Sequence, residues 1–157
     1  MDAAPSALIA ALDGHQVLGL DTSVFIYHFE GHLRHQLLTS ALLTAVQRGE
    51  CQAVASVLAI MEVTVRPWQL DQPAVACEYE MLLVNFPHLT VIDVNRDIAR
   101  RAAKLRATYR LRPADALHLA SALQHGATAF VTNDRGFRRV HRDITVLVLD
   151  DFLDRGK

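Results

Sequence analysis

The chain has 157 residues, 51% of them hydrophobic and 21% charged, with a net charge of −1. That length fits one domain, and size scaling gives roughly 7,900 Å² of folded surface against roughly 25,000 Å² unfolded, so a core forms without disulfides or a structural metal. Read as a total, the near-zero charge argues against a nucleic-acid partner held by bulk charge alone.

Leu8, Ile9 and Leu12 predict a short leading helix that ends near Gly14. Residues 16–20 (QVLGL) read as a short buried strand, and residues 22–29 follow at once. A helical stretch runs from about 33 to 48, with Gly49 as its stop. Residues 52–55 read as a second strand; Ser56 caps a helix through about Val65, which Pro67 closes. Residues 73–85 have helical spacing up to Pro87, and residues 89–92 form a third strand. Asn95 caps a helix to about Arg110, and Pro113 suits the first turn of another that runs to His125. Residues 128–131 and 145–149 complete the strands.

Strands that are continuous apolar runs, alternating with helices, predict an α/β fold: a three-layer α/β/α sandwich around a central parallel sheet of about five strands. Residues 1–157 read as a single domain, with 1–15 as an N-terminal helical extension. Ligands of such folds sit outside the carboxyl ends of the strands.

The charge is not evenly spread. Residues 1–95 carry three basic and ten acidic residues, whereas residues 96–142 carry eleven basic and three acidic. Fourteen of the sixteen basic residues are arginine, the better bidentate phosphate binder. The segment reads either as solvated helix faces or as a phosphate-binding surface. Cys51 and Cys77 form no CxxC or metal spacing, which fits a reduced, cytoplasmic protein. Every apolar run is far shorter than a membrane span, and no basic segment precedes residues 6–12 as a signal peptide would require.

Four acids fall where the fold places chemistry. Asp21 directly follows the first strand, and Asp134 follows the fourth. Glu62 lies nearly two turns past Ser56, and Asp115 sits in the first turn of the helix opened by Pro113. That helix feeds the fourth strand and so runs antiparallel to it, which brings Asp115 to the same edge as Asp21 and Asp134. Carboxylates in apolar runs are rarely buried alone, and crowded like charges need protons, basic side chains or a cation. All-oxygen donors suit Mg²⁺ or Mn²⁺.

Residues 20–26 (LDTSVFI), Glu62 after Ser56-Val57, residues 115–120 (DALHLA) and residues 131–137 (VTNDRGF) resemble, in order and spacing, the acidic motifs of PIN-domain proteins. That family includes the VapC-type toxins, and the resemblance covers about residues 16–150. It implies a metal-dependent endoribonuclease that hydrolyses RNA phosphodiester bonds, with Asp21, Glu62, Asp115 and Asp134 as catalytic and metal-binding residues and Thr132 as a supporting hydroxyl. It also implies an antitoxin partner and a homodimer. The sequence departs from the family at Gly136, where many members carry a further acid before the Phe, and in its leading helix, which packs on a sheet edge or a partner. A non-catalytic PIN-domain scaffold that binds RNA or protein is the alternative.

Other residues have plainer readings. His28, His32 and His35 tempt a zinc reading, but Gly31 interrupts their helix and no paired Cys or His set follows. His118 lies one turn past Asp115 and reads as a core or rim histidine, with contact to a phosphate as the alternative. Trp68, Phe86 and Phe137 read as core or loop packing, with base-stacking platforms as the alternative. Ser23 could orient a water beside Asp21 or serve only locally. The apolar face of the 33–48 helix (Leu33, Leu37, Leu38, Ala41, Leu42) is either ordinary core or a dimer surface. Phosphotransfer through Asp21 fits less well: a dehalogenase-type phosphatase wants an Asp where Ser23 stands, and a receiver domain wants a late Lys where only Lys104 and Lys157 exist. The DxSxS metal-adhesion pattern is only half matched, because Phe25 replaces its second Ser.

Overall fold

The computed structural model describes residues 2–153. In chain order the elements are α1 (Ala3–Leu12), β1 (Val17–Leu20), α2 (Thr22–Phe29), α3 (Gln36–Gln47), β2 (Gln52–Ser56), α4 (Leu58–Gln69), α5 (Pro73–Val84) and β3 (Leu89–Ile92). There follow α6 (Arg96–Tyr109), α7 (Pro113–Gln124), β4 (Ala129–Thr132), a 3-10 turn (Arg135–Val140), β5 (Thr145–Val148) and α8 (Leu149–Leu153). The five strands pair in the order β3-β2-β1-β4-β5, all parallel, with helices on both faces. This is the expected α/β/α sandwich.

Side-chain alternation along the strands divides the core in two. Leu18, Leu20, Ala53, Ala55, Ala129 and Val131 pack with residues of α1, α2, α3, α4 and α8. Val54, Ile92 and Phe130 point the other way, against α6, α7 and the 3-10 turn. The second face is lined by alanines, and α7 lies very close to the sheet there. A Cβ at Gly19 would stand 2.5 Å from Ala122 Cβ and 2.8 Å from the Phe130 ring, so only glycine permits that approach.

Several expectations shift at their edges. The leading helix starts at Ala3 and packs on α3 and α8, with Leu8 and Leu12 in the core. Ser56 ends β2 rather than capping from outside it, and its Oγ accepts the Leu58 N–H at 3.2 Å. Pro67 does not close α4, which runs on to Gln69 with the proline ring buried. A proline this close to a helix end removes a single backbone hydrogen bond. Helix α3 begins at Gln36, not near Leu33. Its predicted face divides: Leu38 and Leu42 are core, whereas Leu33 and Leu37 are exposed. Phe137 packs in the core on Phe130 as expected, but Trp68 is 61% exposed, beside Met61 and Val65 on the outer side of α4. No helix among the described residues is long and apolar enough to cross a membrane.

Candidate active site

The sheet reverses its order of growth between β1 and β4. From β1 the chain builds outward through β2 to β3, then returns to lay β4 on the other side of β1. That switch opens a crevice at the carboxyl ends of β1 and β4. Asp21 is the first residue past β1, and Asp134 stands two residues past β4.

Asp21 is held from both sides. Its N–H donates to Val131 O at 2.9 Å, which extends the pairing of β1 with β4. As the N-cap of α2 it accepts the Thr22 N–H on Oδ1 at 2.9 Å. Oδ2 accepts the Thr132 hydroxyl at 2.6 Å. Burial pushes the Asp21 carboxyl above the ordinary range, against the lowering influence of Thr132, His118 and the Thr22 N–H, and with a further push from Asp115. Thr132 also accepts the Asp134 N–H on its hydroxyl at 3.0 Å, so one buried side chain positions two of the four acids.

Glu62 reaches the same crevice from α4. Its Oε1 accepts the Thr22 hydroxyl at 3.2 Å and a hydrogen bond from His118 Nε2. That imidazole hydrogen bond holds the Glu62 carboxyl below the ordinary range. Burial would lower His118, but its hydrogen bond to Glu62 and the fields of Asp21, Glu62 and Asp115 outweigh burial and raise it. The pair is therefore biased toward imidazolium and carboxylate. His118 is buried, as its plain reading expected, yet its ring edge belongs to the acid cluster.

Asp115 and Asp134 share one cation. Arg112 Nε donates to Asp115 Oδ2 at 2.9 Å, and a second nitrogen of the same guanidinium, Nη2, donates to Asp134 Oδ2 at 3.2 Å. The remaining Asp134 oxygen, Oδ1, accepts the Gly136 N–H at 2.8 Å and caps the 3-10 turn. A Cβ at position 136 would lie 2.9 Å from that oxygen. A side chain at this position, where many family members carry an acid, would make the Asp134 carboxyl shift from its present place. Ser23 Oγ accepts the Asn133 N–H at 3.2 Å, which braces the segment that carries Asp134.

The four acids predicted from sequence are joined by these bonds into one cluster. Three participants were missed as site residues: Thr22, His118 in its role on Glu62, and Arg112. His118 and Arg112 each left a trace in the sequence, through their i,i+3 spacing from Asp115 on either side.

The PIN domain family profile matches residues 19–143, a span that contains every one of these acids. The chain belongs to the PIN domain family. No curated protein gave a match. Solved structures do resemble this PIN domain. A chain of a toxin-antitoxin complex from Klebsiella pneumoniae is 26% identical, with a TM-score of 0.62 over 85% of this chain and 97% of that one. A chain of VapBC2 from Rickettsia felis, bound to a DNA fragment from their promoter, is 15% identical, with a TM-score of 0.67 over 84% and 98%; it shares the fold.

PIN domains typically use divalent metal ions, and the donors here fit such an ion in kind. Four carboxylates and the Thr132 hydroxyl offer hard oxygens, the preference of Mg²⁺ and Mn²⁺. Their arrangement is a different matter. Among the described residues no group of three or more His, Cys, Asp and Glu is set to hold a metal ion. Arg112 already engages one oxygen each of Asp115 and Asp134, and His118 engages Glu62 Oε1.

Proposed function

We propose that this PIN domain is a metal-dependent endoribonuclease and the VapC-type toxin of a toxin-antitoxin pair. One observation carries the reading: four separate elements deliver Asp21, Glu62, Asp115 and Asp134 to the crevice between β1 and β4, where Thr132 ties two of them together. Asp21 and Asp115, with Glu62 and Asp134 beside them, would hold Mg²⁺ or Mn²⁺. Bound there, such an ion would supply Lewis acidity toward a phosphodiester and make a water nucleophilic at neutral pH. Thr132 and the Thr22 N–H keep the Asp21 carboxylate fixed in direction, and Thr22 and His118 do the same for Glu62. The Arg-rich segment 96–142 surrounds Asp115 and Asp134 in the chain and supplies charge for the RNA backbone on either side of the cut.

The likeness to the Klebsiella and Rickettsia complexes supports an antitoxin partner. Its proposed seat is the exposed apolar stripe of Met61, Val65 and Trp68, spaced along the helix that carries Glu62. A homodimer would use the exposed Leu33 and Leu37. The whole chain acts as one domain, with α1 built into its core.

The test is cleavage of a fluorescent RNA with Mn²⁺, with and without EDTA, by the wild type and Asp21→Asn. The expected result is loss of cleavage with EDTA and a fall on the order of a thousandfold in the variant. Cleavage that survives both treatments overturns the mechanism. Failure of the wild type both to cleave RNA and to bind Mn²⁺ returns the protein to the scaffold reading.

A further inference from the structure

We propose that Arg112 is a built-in counter-ion that competes with the divalent metal for Asp115 and Asp134; the inference rests on the metal-dependent reading above. The geometry is specific. The guanidinium does not fork onto a single carboxylate. It spends Nε on Asp115 Oδ2 and Nη2 on Asp134 Oδ2, and so stands between acids contributed by two different elements. A cation held by Asp115 and Asp134 would compete for the carboxylate oxygens that the guanidinium now engages.

The backbone aims the side chain. Arg112 is the N-cap of α7 and makes no capping bond of its own. Pro113 confines it to extended backbone, at φ −63° and ψ 153°. Leu111 on its other side is buried, and the Leu111 carbonyl accepts Arg106 Nε at 3.0 Å. The chain enters this segment through Arg110, which sits in the left-handed region at φ 57°. A residue so fixed on both sides directs its side chain onto the next turn, where Asp115 lies, and across to Asp134.

The bridge is also built to yield. The Arg112 side chain is 77% exposed and that of Asp134 is 41% exposed, so water screens the attraction. The arginine therefore neutralises crowded carboxylates in the metal-free protein, yet a divalent ion can displace it. Neighbouring arginines lean elsewhere: Arg138 on Asp151, and Arg139 through its Nε on the Gly136 carbonyl. Affinity for an ion that must first evict a competitor is reduced by the fraction of molecules in which the site is clear.

Mn²⁺ binding to the metal-free protein without RNA tests this, read by the loss of the free-ion electron paramagnetic resonance signal. Arg112→Ala and Arg112→Gln should bind Mn²⁺ about threefold to tenfold more tightly than the wild type, the range for relief of two exposed ion pairs. Arg139→Ala, which removes the same charge nearby without breaking the bridge, should change affinity by less than about twofold. A thermal melt should show the Arg112→Ala variant gaining more stability from Mn²⁺ than the wild type gains, which reads the same competition through folding. Equal Mn²⁺ affinity in the wild type and both Arg112 variants overturns the inference and leaves the metal reading intact, as does equal tightening by Arg139→Ala. No Mn²⁺ binding by any of the proteins overturns both.

Discussion

Two polar clusters flank the carboxyl end of β4, and they are built on opposite principles. The first gathers Asp21, Glu62, Asp115 and Asp134, with Arg112 and His118 as the cations in contact with them. The second gathers Asn133, Tyr27, His32, His35 and Asp150. There Asn133 Nδ2 donates to the Tyr27 hydroxyl at 3.1 Å, and Asn133 Oδ1 accepts the Asp150 N–H at 2.9 Å. His35 Nε2 pairs with Asp150 Oδ1 at 2.7 Å, and the Tyr27 ring stacks on His35 at 4.3 Å. In the second cluster donors meet acceptors and charges meet partners. In the first, carboxylates exceed cations and one of them is buried with a raised pKa. Surplus like charge destabilises a fold, so a cation held there would restore balance. Of the histidines that tempt a zinc reading, His32 and His35 belong to the balanced cluster, which joins α2 and α3 to α8, whereas His28 stands outside it.

Substitutions should separate the two clusters by which property they damage. Thr132→Val lies on the boundary and should have the largest effect. It strips the donor from Asp21 Oδ2 and the acceptor from the Asp134 N–H, and should lower cleavage and Mn²⁺ affinity about tenfold to a hundredfold. A thermal melt should also show a loss of about 1–3 kcal/mol from the groups left unpaired. Stability loss with catalysis untouched would move Thr132 to the structural cluster and break the division.

Asn133→Ala should cost a similar or slightly smaller amount of stability, about 1–2 kcal/mol by denaturant titration, because it frees the Tyr27 hydroxyl and the Asp150 N–H together. Mn²⁺ affinity should stay within about twofold of the wild type. A larger drop in Mn²⁺ affinity would mean the two clusters act as one.

Asp150→Asn gives the smallest effect and a pH signature. The hydrogen bond from His35 holds the Asp150 carboxyl below the ordinary carboxylate range. A depressed folded-state pKa contributes stability above the unfolded value of about 3.9, and that stability is lost as pH falls through the folded value. The variant should therefore be about 1 kcal/mol less stable at neutral pH, with the gap closing below about pH 3.9. Melting curves from pH 7 to pH 3 measure it. A gap that stays constant across that range would remove the ion pair as its cause.

Part of this was legible from residue order alone. Continuous apolar strands between helices specify a parallel sheet, because only burial on both faces makes such strands stable. Residues that directly follow strands can be located from sequence, which places Asp21 and Asp134 at the rim. Asp115 followed from the antiparallel run of a helix that feeds the next strand. Pro67 and Trp68 were misjudged for a common reason: whether a proline ends a helix, or an aromatic side chain finds a core, depends on what packs against that turn. The partners in space were not legible either. Thr22 meets Glu62 across 40 residues, and Thr132 meets Asp21 across 111. Arg112 looked like one more member of a basic stretch.

The sequence by itself determined the layered fold, the strand ends and which carboxylates stand there, since period and position along the chain encode them. Only the tertiary structure decided how those carboxylates are neutralised. That depends on distances of a few ångströms between elements far apart in the chain, and there Arg112 and His118 turn a net charge near zero into a pocket in which opposite signs touch.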